Sequence, residues 1–388
     1  MSTPPRTRPP STTTSRQLGQ GQLAAARRAR RRAVRRRRLL ALVVVVACVG
    51  VLAAVASGGG SPPASASHHG GGARTGGHPA GPVPPRTAST ATHTSPPPPK
   101  PSGPYAVGKT VVHLVDTTRP IHLADGAVIP RTLVTYVRYP ASGSAGGADR
   151  GNAAPARGAG PFPLIVFGHG FDKYPGLYAP ILDAWARAGY VVAAPVFPLA
   201  NPGAPGGPTE ADLPNQPADM SFVISRMLSA SRAPGGVLSG LIAAKEIAVA
   251  GQSDGGDTAL AAAYDPPYKD SRVGAAVILS GAEIPSLSAF TIQPGGPPLL
   301  ATQGTADSIN PPSATSAFYD PAPVPKYLLQ LLGAEHLPPY STEQPQLGIV
   351  ERVSVAFLDG ALKHGQRSLA RMRSAGNVSG IATLSADP

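Results

Sequence analysis

Between residues 105 and 365, short apolar runs of strand length alternate with segments whose apolar positions recur at helical spacing. Runs at 111–115 and 133–139 open the series, and runs at 163–167, 190–196, 247–250, 273–280, 298–304 and 326–332 continue it. Between them, Ile181, Leu182, Trp185 and Ala188 fall on one helical face, and Gly189 stands at the C-terminal cap position. Helices are also expected over 219–228, over 258–263 and from Pro311-Pro312 onward. A last helix over 350–359 places Ile349, Val353 and Phe357 on one face, as core packing. Strands alternating with helices predict an α/β fold with a mostly parallel sheet and helices on both faces.

Other segments break this rhythm. Residues 141–161 are of low complexity and are expected to form a mobile loop. Residues 201–208 form a Gly/Pro loop expected to border a pocket, together with residues 171–178, where Tyr174 and Tyr178 are candidate lining side chains. Only seventeen residues separate Ser280 from Pro298, too few for a full cap domain, so an open site is expected. Residues 366–388 read as a C-terminal tail.

Composition adds an N-terminal appendage to the globular region 105–365. Residues 57–104 are Gly, Ser, Pro, Ala, Thr and His with almost no large apolar side chain, and are expected to form a disordered linker. Residues 39–56 are eighteen uncharged, largely apolar residues, enough for a helix of roughly 27 Å. Residues 1–38 carry twelve arginines and no acid, and so account for +12 of the formal net charge of +13. Basic charge confined to one run beside an apolar segment argues against nucleic acid as a partner, because a recognition surface spreads its charge over a folded face. It fits a cytoplasmic N-terminus followed by a transmembrane anchor, with the remainder exported to the cell envelope. A cleaved signal ending at Ala54-Val55-Ala56 would instead secrete the protein. Lipidation at Cys48 is a third route to export. Cys48 is the only cysteine, which excludes a disulfide, a thiol mechanism or a cysteine-zinc site in the globular part.

The candidate chemistry begins at Gly251-Gln252-Ser253-Asp254-Gly255, which follows one strand pattern and precedes a helix pattern. A sharp strand-to-helix turn projects a serine hydroxyl, and it needs glycine on both sides because a Cβ there would strike the neighbouring strand or helix. A nucleophilic serine needs a base and a residue to orient that base. His336 follows the strand pattern at 326–332 and is the candidate base. Asp307 follows the strand pattern at 298–304 and is the candidate orienting acid. Glu283, after the pattern at 273–280, is the alternative acid, whereas Asp320 lies too far along. His68, His69, His78 and His93 fall in the linker, and His169 is expected to brace its loop. No cofactor is implied, and the remaining histidines and carboxylates show no metal-ligand spacing.

The set Gly168-His169-Gly170-Phe171, Gly251-Gln252-Ser253-Asp254-Gly255, Gly304-Thr305-Ala306-Asp307 and Gly333-Ala334-Glu335-His336 resembles the α/β-hydrolase superfamily. Within it, the chain resembles bacterial serine hydrolases grouped with dienelactone hydrolases, chlorophyllases, platelet-activating-factor acetylhydrolases and polyester hydrolases. The stretches 131–140 and 350–359 resemble the second strand and last helix of these enzymes. The resemblance implies a Ser253–His336–Asp307 triad and an oxyanion hole from the N–H groups of Phe171 and Asp254. It also implies carboxylic esters as substrates: small molecules, lipids or polymers. The chain departs in having Gln252 where many relatives have histidine, and Ser253 where dienelactone hydrolases proper have cysteine. The second departure argues against lactone-ring opening of that type. An acyltransferase on the same triad, or a non-catalytic module keeping the fold for binding, are the alternative functions.

Overall fold

The computed structural model describes residues 103–123, 125–146, 150–283, 292 and 295–388. The basic segment, the apolar segment 39–56 with Cys48, and the linker through residue 102 lie outside the described residues. Among the described residues, no helix is long and apolar enough to cross a membrane.

The described strands are β1 (Ala106–His122), β2 (Val128–Ala141), β3 (Arg150–Gly151), β4 (Phe162–Gly168), β5 (Val191–Pro195), β6 (Ile242–Gln252), β7 (Ala275–Leu279), β8 (Leu299–Gly304), β9 (Lys326–Leu331) and β10 (Ala382–Asp387). The helices are α1 (Ala179–Arg187), α2 (Gln216–Arg232), α3 (Asp254–Tyr264), α4 (Pro312–Tyr319), α5 (Gln346–Lys363) and α6 (Ser368–Gly376). All ten described strands join one sheet in the order β10-β9-β8-β7-β6-β4-β5-β2-β1-β3. Neighbours from β5 to β9 run parallel, while β1 and β2 at one side and β10 at the other are antiparallel additions. The expected α/β class and mostly parallel sheet are therefore present.

Every residue of β4, β5, β7 and β8 is buried, as continuous apolar runs in a sheet covered on both faces require. Alternate residues of β4 face opposite ways. Leu164 and Val166 join a cluster with Met220, Val223, Ile224 and Met227 of α2 and with Ala259 and Leu260 of α3. Ile165 and Phe167 join a second cluster with Ile181, Leu182 and Trp185 of α1 and with Ile349, Val353 and Phe357 of α5. Each fully buried Leu, Ile or Phe side chain contributes about 1.5–3 kcal/mol. The helical face expected around Trp185 is thus the packed one, and Trp185 Nε1 also donates to Ser354 Oγ on α5 at 2.9 Å. Gly189 ends this helix at φ 92°, a conformation that favours glycine.

One buried ionic cluster fastens the antiparallel edge to α2. Arg131 of β2 donates to both oxygens of Asp212 (3.0 and 2.8 Å) and both oxygens of Asp219 (2.6 and 2.5 Å). Arg119 links Asp219 and Asp116, each at 2.8 Å.

Two expectations change. The 141–161 insert is tied down where it is described: Asn152 N–H donates to Lys109 O at 2.8 Å, and Ala156 N–H to Pro140 O at 3.0 Å. The Arg157 guanidinium donates to the carbonyls of Gly236 and Val237 at 3.0 and 3.2 Å and to that of Ser239. The segment beyond residue 365 is part of the fold, because β10 pairs with β9 from Ala382↔Leu331 to Asp387↔Lys326. Met372 of α6 and Ala382 of β10 are buried in the second cluster.

Candidate active site

The carboxyl ends of β4, β6, β8 and β9 bring the candidate residues to one edge of the sheet. Ser253 lies between β6 and α3 with φ 55° and ψ −127°. A non-glycine residue held there stores about 1–3 kcal/mol of backbone strain, which the surroundings must hold in place. The Ser253 N–H donates to Leu279 O of β7 at 3.1 Å, and its carbonyl accepts from Asp257 N–H of α3 at 2.9 Å. The flanking glycines are sterically required. A Cβ on Gly251 would run into the Gly255 carbonyl, and one on Gly255 into the Gly168 carbonyl at the end of β4. The Ser253 side chain is partly exposed.

Asp307 and His336 sit on loops that are stitched together. Ala306 N–H donates to Ala334 O at 3.0 Å, Thr305 N–H to Leu331 O at 2.9 Å, and Gly333 N–H to Thr305 Oγ1 at 2.8 Å. This places His336 Nδ1 2.7 Å from Asp307 Oδ2. Asp307 Oδ1 accepts from the N–H groups of Ile309 and Asn310, each at 2.9 Å. Burial alone would raise the Asp307 carboxyl, but the His336 bond, the imidazole's charge and the two N–H groups outweigh it and hold it below the usual carboxylate range. Asp307 therefore carries the negative charge and Nδ1 carries the imidazole proton, which leaves Nε2 as an acceptor. Of the carboxylates weighed from the sequence, Asp307 is the partner of His336. Glu283 is half-buried, and burial raises its carboxyl. Asp320 lies at the end of α4.

Ser253 Oγ makes no hydrogen bond to His336 among the described residues. The neighbour of His336 Nε2 is instead Gln252 Nε2, at 3.2 Å, and the same amide nitrogen donates to His336 O at 3.0 Å. Tyr178 O–H donates to Gln252 Oε1 at 2.8 Å and accepts from Gly170 N–H at 3.2 Å. Burial holds the Tyr178 phenol protonated, far above its usual range. Tyr178, expected as a lining residue, is fully buried beneath the site, whereas Tyr174 is 43% exposed. The sequence marks Gln252 only by its place before the serine. Its contact with His336 spans 84 positions and has no local signature.

The loop after β4 is braced as expected. His169 accepts from Phe197 N–H through Nε2 at 3.0 Å, and its Nδ1 lies 2.8 Å from Gly170 O. Burial drives its imidazole down to about 4, so it stays neutral with both nitrogens occupied. Around the partly exposed Phe171, the neighbouring N–H groups are committed, that of Gly170 to Tyr178 and that of Asp172 to Ala200 O at 2.8 Å. The latter bond joins this loop to the 201–208 region. Asp254 is the first residue of α3, directly after Ser253.

A cavity of 1220 Å³ lies at the other end of the sheet, lined by Tyr105, Phe162, Pro180, Arg187, Glu351 and Lys363 among others, and contains none of these residues. Comparison with models of known protein families finds no match to this chain, and comparison with curated proteins finds none.

Proposed function

We propose that this chain is a serine hydrolase of the α/β-hydrolase fold that cleaves carboxylic esters through an acyl-Ser253 intermediate. The observation that carries the proposal is the Asp307–His336 pair, 2.7 Å apart, in contact with Gln252, the residue before a serine held at φ 55° on a strand-to-helix turn. Ser253 Oγ attacks the ester carbonyl while His336 Nε2 takes its proton. The same proton then passes to the departing alcohol. Water repeats the sequence on the acyl-enzyme, releasing the acid and restoring Ser253. Asp307 keeps the proton on Nδ1 and stabilises the imidazolium that forms at each step.

The oxyanion would sit against the N–H groups of Phe171 and Asp254, each contributing about 3–4 kcal/mol to the transition state. Commitment of the Gly170 and Asp172 N–H groups elsewhere supports Phe171 as the donor from its loop. Leu337 follows the proposed base, Ile309 stands two positions past the proposed acid and Phe171 is itself a proposed oxyanion donor; all three retain exposed surface, which suits a substrate with apolar parts. The short 281–297 connection supports an open cleft that admits small, lipid or polymeric esters. The charge and hydropathy pattern of residues 1–56 supports a catalytic region outside the cytoplasm, anchored or secreted.

Hydrolysis of p-nitrophenyl acyl esters by the full chain, compared with Ser253→Ala, tests the proposal. Turnover should fall by roughly three powers of ten or more in the variant. Unchanged turnover would end the assignment.

A further inference from the structure

The buried chain Gly170–Tyr178–Gln252–His336 ends on the one imidazole nitrogen that Ser253 would need. Its polarity is fixed at every link. Gly170 N–H can only donate, so Tyr178 oxygen accepts at 3.2 Å and its proton points to Gln252 Oε1 at 2.8 Å. With its oxygen so engaged, Gln252 presents its NH₂ to His336. One N–H meets the His336 carbonyl, a pure acceptor, at 3.0 Å. The second points to Nε2 at 3.2 Å, and Nε2 is an acceptor because the ring proton sits on Nδ1 against Asp307.

We propose that Gln252 is a positioning residue for the base: it holds the His336 imidazole in its resting place by capping Nε2, and yields that nitrogen to Ser253 when substrate enters. The proposal rests on the hydrolase reading above. The cap and the working base are mutually exclusive. Once Nε2 has taken the serine proton it becomes a donor, and two N–H groups cannot share a hydrogen bond. The Gln252 bond to the His336 carbonyl survives this exchange, so the loop keeps its place while the ring is released. A donor on Nε2 also favours the neutral ring over the charged one.

The titratable groups around this imidazole are few. Asp307 lies on its other nitrogen, and Tyr178 is reached through Gln252. Asp254 acts electrostatically on Tyr178, and Tyr340 senses the Asp307 charge. Glu335, next to His336 in the chain, is exposed and lies 3.5 Å from Ser308 Oγ.

The test is a pH titration of the His336 ring nitrogens by NMR on the full chain labelled with ¹⁵N-histidine, His336→Phe identifying the signals. In Gln252→Ala the Nε2 resonance of the neutral ring should move and the midpoint should rise. In Gln252→Glu, which keeps an acceptor for Tyr178 but sets a carboxylate beside Nε2, the midpoint should rise by more than about one pH unit. The acid limb of kcat/KM should move upward with the midpoint in each variant, whereas a purely structural defect would lower the rate equally at every pH. Superimposable titrations in the wild type and both variants would overturn the proposal. Should Gln252→Ala fail to fold, an unmoved midpoint in Gln252→Glu overturns it alone. Fluorophosphonate labelling of Ser253 in the same samples scores the hydrolase reading separately, since the histidine titration needs no turnover.

Discussion

His336 Nδ1 and Asp307 Oδ2 lie 2.7 Å apart although 29 positions separate them in the chain, and the second Asp307 oxygen is held by two backbone N–H groups. This dictates the outcome of Asp307→Asn. The amide oxygen must take the place of Oδ1, because only an acceptor can receive the Ile309 and Asn310 N–H groups. The NH₂ then faces His336 Nδ1, donates to it, and drives the ring proton to Nε2. The base is lost and the Gln252 N–H loses its acceptor on Nε2, so kcat should fall by about 10³–10⁴-fold while the thermal midpoint shifts little. Steady-state kinetics and a thermal melt on the same preparation check this.

The same pair predicts a pH effect on stability. The folded Asp307 carboxyl titrates below its ordinary value, so between the two values the unfolded chain binds more protons than the folded one. Its contribution is complete above the ordinary aspartate range and is lost as pH falls through the depressed value. Denaturant melts between about pH 2 and 5 should show a steeper loss of stability for the wild type than for Asp307→Asn. Parallel curves would contradict it.

Arg131 is expected to matter for folding and not for chemistry. Replacing it with methionine leaves Asp212 and Asp219 buried with their shared cation removed, Asp219 retaining only Arg119 at 2.8 Å. Breaking one side of such a buried cluster costs about 3–5 kcal/mol. Chemical denaturation should register a loss of that size, with kcat of the remaining folded protein close to normal.

Deletion of residues 368–388 should destabilise the domain as well. It strips β10 from β9 and removes Met372 and Ala382 from the second apolar cluster. A loss of at least about 2 kcal/mol and a tendency to associate through the bared β9 edge are expected. Melting and light scattering report the two effects.

The parts of the fold legible in the sequence are those whose cause is local. The apolar runs at β4, β5, β7 and β8 are buried on both faces, so every residue announces the strand. The turn at Ser253 is marked by two glycines that collide with backbone if enlarged. His336 and Asp307 stand just past such strands, so position alone nominates them. β10 was hidden because only Ala382 of its six residues is buried, and the rest read as a polar tail. The 141–161 insert looked loose because backbone bonds and one arginine hold it, and these leave no apolar pattern. The cap of Gln252 on His336 and the fork of Arg131 on two aspartates are long-range polar contacts, for which periodicity has no sign.

The most direct measurement of the central claim is mass-spectrometric mapping of the full chain after treatment with a fluorophosphonate. The account predicts one phosphonylated residue, Ser253, with labelling abolished in Ser253→Ala and strongly slowed in His336→Phe. A folded protein that remains unlabelled, or one that labels equally well without His336, would contradict it.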